Sequence, residues 1–351
     1  MRHAQVQGSI ARPGPERYVA SRNLEIDTLR GLACILLVLF HVIGYSPQDG
    51  LQVDDGMLRD VNDALAYLRM PLFTFLSGFV YAYRPFQEGM AQFLQGKARR
   101  LLIPLLVVGA LFMLVRALAP QANDAADQGP LMFFLAPANH FWFLEALFLV
   151  FLVIVPLEAL GVLKRERGLL LTLALFASFF LLNIETDWLS LGGAFFLMPF
   201  FLLGLWLCRF EPEQRIGVNR YWLALWGGVA VTVLMLQLPE HKHSLHALVL
   251  SLLFCLSLYM ARPRSRWLAV VGLYSYSIYL FHVFFTAGAR IGLYQTGITS
   301  IWVHVALGLA AGLAFPAVVE MVAARSRYLR TLFLGKRFQA ATPQRQFSRP
   351  V

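Results

Sequence analysis

Long apolar runs alternate with short polar connections along most of the chain. Each run approaches the roughly 20 residues that an α-helix needs to cross the hydrocarbon core of a bilayer. We place the runs near residues 28–47, 66–84, 101–119, 139–160, 168–184, 190–208, 221–238, 244–261, 267–289 and 300–323. The pattern predicts an all-α, polytopic membrane bundle of about ten transmembrane helices. Pro71 is expected in the first turn of the second helix, where proline removes no helical hydrogen bond.

Polar segments flank this apolar region, so we divide the chain into three parts. They are a basic N-terminal tail at 1–24, a membrane domain at 25–324 and a basic C-terminal tail at 325–351. The first apolar run is too long for the h-region of a cleavable signal peptide, so we expect the N-terminal tail to stay attached. The C-terminal tail is typical of a juxtamembrane segment that binds anionic headgroups, which makes membrane lipid an expected partner.

Lysine and arginine residues are sorted between alternate connections of the ten-helix arrangement. All but five of the 30 Lys and Arg residues fall on one side of the membrane. The positive-inside rule makes this basic side cytoplasmic, so both termini are predicted to lie in the cytoplasm. The five cations on the other side are Arg59, Arg69, Arg116, Lys242 and Arg290.

Composition narrows the class of protein further. The 351 residues are 58% hydrophobic and 14% charged, against about 25% charged residues in a soluble globular chain. The net charge of +10 does not indicate nucleic-acid binding, because no soluble module carries a basic patch interleaved with aromatic residues. Cys34, Cys208 and Cys255 lie inside apolar runs without paired spacing, which argues against both disulfides and a metal cluster.

Ionisable residues inside apolar runs are costly in lipid and are therefore candidates for function. The first helix carries two of them, Arg30 and His41, at positions eleven residues apart. A helix places such residues on one face, about 16 Å apart along its axis, and Asp27 lies on the same face, where it can orient Arg30. The structural alternatives are a snorkelling membrane anchor for Arg30 and a histidine bonded to a backbone carbonyl for His41.

Two further titratable residues are predicted at a similar depth, in the outer half of the membrane. His282 lies about 22 Å along the ninth helix from its cytoplasmic start, and Glu145 lies about one and a half turns below the outer end of the fourth. We expect His41, Glu145 and His282 to converge on one site, although each also suits a hydrogen-bonding role in helix packing. Tyr279 is a weaker candidate, because its run of alternating Tyr and Ser is typical of packed helices.

Four stretches, in order along the chain, resemble the acyltransferase 3 family of integral-membrane acyltransferases. They are Glu25-Ile26-Asp27-Thr28-Leu29-Arg30-Gly31-Leu32 with His41, Met70-Pro71-Leu72-Phe73 through Leu76-Ser77-Gly78-Phe79, Lys97-Ala98-Arg99-Arg100-Leu101-Leu102-Ile103-Pro104, and Trp142-Phe143-Leu144 with Tyr274 to His282. The resemblance spans nearly the whole apolar region. It implies a helical bundle of the size that the charge alternation also indicates.

The resemblance implies an enzyme that transfers acetyl or another acyl group from cytoplasmic acyl-CoA to a hydroxyl of a sugar or surface glycan. It implies that Arg30 and His41 are essential for activity. The predicted topology suggests that Arg30 positions the donor and that His41 acts as a general base or carries the acyl group transiently. Lys97 and Arg100 match the family's Arg-x-x-Arg pair, with Lys97 in place of the first arginine, and with Arg99 they are expected to hold the donor phosphates. Acyl-CoA is then a substrate, no bound cofactor or metal is expected, and such proteins belong to the bacterial inner membrane.

A membrane transporter or flippase for a sugar-lipid or a small polar substrate is the alternative function. Histidine and glutamate inside the membrane also form the proton relays of transporters. The apolar runs lack the paired proline or glycine breaks that mark many transporter binding sites, which disfavours this reading. Breakdown of a CoA thioester by the purified protein separates the two functions.

Overall fold

The computed structural model describes most of the chain between residues 23 and 338. The described residues are 23–54, 56–87, 89–118, 130–135, 139–184, 186, 188–217, 219–237 and 242–338. Residues 1–22 of the predicted N-terminal tail (1–24) and residues 339–351 of the predicted C-terminal tail (325–351) therefore lie outside the described residues. Within these ranges the chain is helical and contains no β-strand.

Fourteen α-helices and two short 3-10 turns make up the described part of the chain. The helices are α1 (Leu24–Ile43), α2 (Met57–Tyr83), α3 (Met90–Leu118), α4 (Pro130–Leu135), α5 (Trp142–Ala159), α6 (Glu166–Leu181), α7 (Leu191–Phe210), α8 (Pro212–Ile216), α9 (Arg220–Met235), α10 (Leu245–Ala261), α11 (Arg266–Leu273), α12 (Ser275–Gln295), α13 (Ile301–Ala323) and α14 (Arg327–Leu334). The 3-10 turns, Asn139–Phe141 and Trp188–Ser190, precede α5 and α7.

Six helices in the described residues are long and apolar enough to cross a membrane, which makes this a multi-pass membrane protein. They are α1, α2, α3, α5, α13 and the segment Trp188–Phe210, which contains α7. The pair α11 and α12, bent by 79°, counts as a seventh if it is one span. Each of the ten predicted runs overlaps a helix, but α9 and α10 have only 16 and 17 residues. The count of ten spans and the cytoplasmic position of the termini are therefore not confirmed.

Helix α2 begins well before the predicted start near residue 66, at Met57. Its polar first turns pack against the loop that follows α1, where Arg59 Nη1 and Asn62 Nδ2 donate to the Gly44 carbonyl at 3.0 and 2.7 Å. These contacts satisfy polar side chains that would otherwise have to lie in water. As a result Arg69 lies twelve residues inside the helix and not at its end.

The prediction that Pro71 lies in the first turn of a helix is wrong, because Pro71 lies in the middle of α2. A proline there has no N–H for the carbonyl four residues earlier, which belongs to Tyr67. The Ser251 hydroxyl of α10 donates to that carbonyl at 2.6 Å. A neighbouring helix thus supplies the hydrogen bond that proline removes, as membrane helices require.

Close helix crossings fix α1 and α2 against their neighbours. A Cβ added to Gly31 of α1 would lie 1.9 Å from the Leu268 carbonyl oxygen of α11, and one added to Gly272 of α11 would lie 1.9 Å from the Asp27 carbonyl. The crossing of α2 and α7 is similar, since a Cβ on Gly78 would lie 1.9 Å from the Phe201 carbonyl oxygen. Small residues permit these backbone approaches, which hold the helices of the site in place.

Candidate active site

A cavity of about 650 Å³ lies where α1, α2, α3, α5 and α12 approach one another. It is close to the C-terminal ends of α1, α3 and α12, the end of the bundle that the charge pattern assigns to the outer side of the membrane. Aromatic and aliphatic side chains form much of its wall. Its ionisable side chains are His41, Tyr45, Asp49, Arg69, Arg116, His140, Tyr279 and Arg290.

Three imidazole rings cluster beside this cavity. The His41 ring centroid lies 4.7 Å from that of His282 and 6.1 Å from that of His140. The His140 and His282 centroids are 5.0 Å apart. His140 and His282 are buried, whereas His41 is only partly buried and is the ring of α1 that faces the cavity.

Hydrogen bonds assign the protonated nitrogen of each neutral ring, because a backbone carbonyl can only accept. His41 Nδ1 lies 2.9 Å from the Leu37 carbonyl oxygen, so Nδ1 donates and Nε2 is unprotonated. His282 Nδ1 lies 2.9 Å from the Ile278 carbonyl, which likewise leaves its Nε2 unprotonated. His140 donates from Nε2 to the Leu280 carbonyl at 3.4 Å, which leaves Nδ1 as its acceptor.

The two buried rings have unsatisfied acceptors. His282 Nε2 and His140 Nδ1 are buried and have no hydrogen-bond partner among the described residues. The same residues contain no group of three His, Cys, Asp or Glu side chains arranged to hold a metal ion. His41 Nε2, His282 Nε2 and His140 Nδ1 are the ring nitrogens of the cluster that can accept a proton.

An arginine that is not among the predicted site residues lies beside the histidine cluster. The Arg69 guanidinium carbon is 3.3 Å from the centroid of the Phe40 ring, and Phe40 precedes His41. Its Nε and Nη1 are buried without a hydrogen-bond partner, and it makes no ion pair with a described carboxylate. Arg69 also lines the cavity, so a full positive charge lies next to the proposed base.

The structure brings together only part of the predicted convergence. His41 and His282 are neighbours, and Tyr279 lines the same cavity, with its hydroxyl donating to the His140 carbonyl. Glu145 is buried elsewhere, where it accepts a hydrogen bond from the Ser190 hydroxyl at 2.8 Å, and it does not line the cavity. Its role in the site stays a prediction.

Arg30 lies on the same helix as His41 but near its opposite end. Its Nη1 is 3.1 Å from Asp27 Oδ1, the pairing that the helical spacing predicts. The Arg30 side chain is 34% exposed and does not line the cavity that holds His41. The two residues therefore occupy two separate places about 16 Å apart along α1.

The predicted phosphate-binding residues lie in the N-terminal half of α3, far from the cavity. Lys97 Nζ is 3.9 Å from the Phe151 ring centroid, and Arg99 Nε donates to the Gly335 carbonyl at 3.3 Å. The Arg100 guanidinium carbon is 5.2 Å from the Tyr276 ring. None of the three makes an ion pair with a described carboxylate.

His140 and Arg69 were missed for reasons of helix geometry. His140 falls at the predicted outer end of the fourth helix, where water solvates a histidine without cost, but in the structure it lies in a buried 3-10 turn. Arg69 falls at the predicted end of the second helix. The polar sequence before residue 66 could have indicated the position of Arg69, because it forms the first turns of α2, which begins at Met57.

This arrangement defines a class of protein: a multi-pass helical membrane protein with a cluster of three histidines beside a cavity. The model of the acyltransferase 3 family, described as an acyltransferase domain, matches residues 23–321. The chain therefore belongs to this family of acyltransferases, as the sequence motifs indicated. No curated protein and no solved structure matches the chain.

Proposed function

We propose that the protein transfers an acyl group from cytoplasmic acyl-CoA to a hydroxyl of a sugar or exported glycan at the bacterial inner membrane. One observation carries this proposal. His41 presents an unprotonated Nε2 in a cavity of about 650 Å³, because its Nδ1 donates to the Leu37 carbonyl. A neutral imidazole held in this way is a suitable general base for an alcohol nucleophile.

The reaction exchanges a thioester for an ester. The acceptor hydroxyl oxygen attacks the thioester carbonyl carbon, and His41 Nε2 takes the hydroxyl proton as the C–O bond forms. The C–S bond then breaks, and the CoA thiolate leaves and receives that proton from His41. The neighbouring His282 ring, 4.7 Å away, presents a lone pair that stabilises the transient imidazolium.

The donor reaches His41 from the end of the bundle that carries Arg30. Lys97, Arg99 and Arg100 lie there, make no ion pair with a carboxylate in the part of the chain that the structure describes, and bind the CoA phosphates in this proposal. Arg30 then guides the pantetheine arm, which spans the distance of about 16 Å between Arg30 and His41. In this proposal Arg30 and His41, near opposite ends of α1, thus act on different parts of one acyl-CoA molecule.

The test is acyl transfer by purified protein in which His41 is replaced by alanine. We expect the release of CoA in the presence of acceptor to fall by about 10²- to 10⁴-fold, the usual contribution of a general base. The matched control is His246→Ala, since His246 is also half-buried and bonded to a carbonyl, that of Leu234 at 3.1 Å, but lies outside the cavity. Near-normal turnover in His41→Ala, with the variant folded by size-exclusion chromatography, overturns the proposal.

A second experiment distinguishes direct transfer from a covalent route through acyl-His41. Rapid quenching of the wild-type enzyme with acyl-CoA alone would then yield protein with one acyl group on the peptide that contains His41. Direct transfer predicts no such adduct and no burst of CoA before acceptor is added. Mass spectrometry of the quenched protein distinguishes the two routes.

A further inference from the structure

The five cations that the charge pattern assigns to the outer side all lie at or around the cavity. Arg69, Arg116 and Arg290 line it. Arg59 supports the loop after α1 by donating to the Gly44 and Ser46 carbonyls, and Lys242 donates to the hydroxyl of Tyr45, a lining residue, at 2.9 Å. The positive-inside rule does not explain cations on this side of the membrane. We therefore attribute them to a requirement for positive charge at the cavity.

The described side chains that line the cavity carry more positive than negative charge. Their only carboxylate is Asp49, which accepts a hydrogen bond from the Ser46 hydroxyl at 2.8 Å and also lies near enough to Arg290 to interact with its charge. Arg69 has two buried nitrogens without partners. Arg290 donates to the neutral carbonyl of Gly50 and makes no ion pair with a described carboxylate.

Uncompensated guanidinium groups in a partly apolar cavity are costly unless a ligand pairs with them. Guanidinium groups bind carboxylates and phosphates through charge-assisted, often bidentate hydrogen bonds. The CoA phosphates are a poor match for these cations, because Lys97, Arg99 and Arg100 lie in the opposite half of the bundle. The remaining substrate is the acceptor.

We infer that the acceptor carries an anionic group, a carboxylate or a phosphate ester, which Arg69 and Arg290 bind while a hydroxyl of the same molecule reaches His41. This inference rests on the proposed function and narrows its substrate to acidic sugars or glycans. Pairing with Arg69, which lies beside His41, orients the acceptor at the base. A neutral sugar of the same shape leaves both guanidinium groups unpaired.

Binding of small acceptor probes to the full chain tests the inference without requiring turnover. Calorimetry in phosphatidylcholine nanodiscs compares methyl β-glucuronide, methyl β-glucoside and methyl β-glucoside 6-phosphate. We expect at least one anionic probe to bind roughly ten- to a hundredfold more tightly than the neutral glucoside. Arg69→Gln and Arg290→Gln should each reduce that ratio by about tenfold, whereas Arg167→Gln, an exposed charge at the other end, should leave it unchanged.

Three results overturn the inference. Equal binding of the charged and neutral probes, or binding of none, shows that the cavity does not select an anion. Competition of free CoA with the anionic probe shows that the cations bind the donor. Loss of the preference in nanodiscs that contain phosphatidylglycerol shows that a lipid headgroup occupies the arginines. The first of these results needs only the wild-type protein, so it can be obtained even if a variant fails to fold.

The proposed function and this inference fail separately. Acyl transfer that depends on His41 but is indifferent to acceptor charge refutes only the inference. Tight and Arg69-dependent binding of an anionic probe, without acyl transfer from any acyl-CoA, refutes only the proposed function.

Discussion

Both ends of the helical bundle carry arginine side chains, but those side chains differ in their partners. At the end where α1 begins and α5 finishes, several arginines are matched with carboxylates, although Arg99 and Arg100 are not among them. The pairs include Arg30–Asp27 at 3.1 Å, Arg209–Glu158 at 3.1 Å and Arg264–Glu25 at 2.6 Å. At the other end Arg59 pairs with Asp63 at 3.6 Å, but the two cavity arginines Arg69 and Arg290 make no ion pair with a described carboxylate, and Arg290 donates to the Gly50 carbonyl.

This difference separates two uses of charge in one membrane protein. A paired arginine fixes the relative position of two segments, and its removal leaves a carboxylate unpaired. An unpaired arginine contributes little to the fold, and its charge remains for a ligand. The comparison therefore predicts opposite outcomes for the same substitution at the two ends of the bundle.

The largest effect is expected for Arg209→Met. Glu158 is 3% exposed, and the substitution leaves it buried without its cation. Loss of one partner of a buried pair costs about 3–5 kcal/mol of unfolding free energy. Thermal unfolding of the purified protein in detergent should show a clear drop in Tm.

The double variant Arg209→Met with Glu158→Gln is the control for this prediction. It removes both charges, so most of the lost stability should return. If Arg209→Met unfolds at the wild-type temperature, the arginines at this end are not structural and the contrast between the two ends disappears.

The next effect concerns the histidine cluster. His282→Asn keeps a short polar side chain that can donate to the Ile278 carbonyl, but it removes the ring with an unprotonated nitrogen whose centroid lies 4.7 Å from that of His41. We expect about a tenfold slower release of CoA, because the imidazolium at His41 is less well stabilised. His304→Asn is the matched control, as His304 is also buried and bonded to a carbonyl, that of Ile298 at 2.8 Å. Equal rates in both variants would limit His282 to a packing role.

A smaller loss of stability is expected when the Ser251 hydroxyl, which bonds to a backbone carbonyl of a neighbouring helix, is removed. Ser251→Ala removes the hydroxyl that donates to the Tyr67 carbonyl, which receives no helical N–H because residue 71 is proline. Loss of a hydrogen bond to a buried carbonyl costs about 1 kcal/mol, so stability should fall by about that amount while acyl transfer stays unchanged. Pro71→Ala in the Ser251→Ala background should restore it, since the helix then supplies its own N–H. Stability that is unchanged in Ser251→Ala would show that this hydroxyl is dispensable.

The sequence was sufficient for the family, the helical class and the proximity of His41 to His282. His41 and His282 both lie inside long apolar helices, where the rise per residue gives their depth, and the structure places their rings side by side. Arg30 and Asp27 pair as the helical spacing predicts. Helix geometry is sufficient in these cases, because the rise and rotation per residue fix the position of each side chain on its own helix.

Predictions that depended on the ends of helices were less successful. Glu145 points to Ser190, a residue of an irregular turn that helix periodicity does not describe. Arg69 falls at the predicted outer end of the second helix, because the polar residues of the first turns of α2 resemble a loop. The buried contacts of those residues with the Gly44 carbonyl exist only in the folded protein. Positions along a single helix followed from the sequence, but the burial of polar residues by tertiary contacts did not.

The smallest effect on stability is expected for Arg69→Met, and it provides the sharpest test of the contrast. The substitution removes a cation–π contact with Phe40, which contributes about 0.5–2 kcal/mol, and also removes two buried donors that lack partners, whose burial costs a similar amount. The two terms nearly cancel, so we expect the unfolding free energy to change by less than about 1 kcal/mol. Arg209→Met, which replaces the same residue type at the other end, should cost several times more. A large loss of stability in Arg69→Met would show that Arg69 is part of the fold, and its charge would then no longer indicate a ligand.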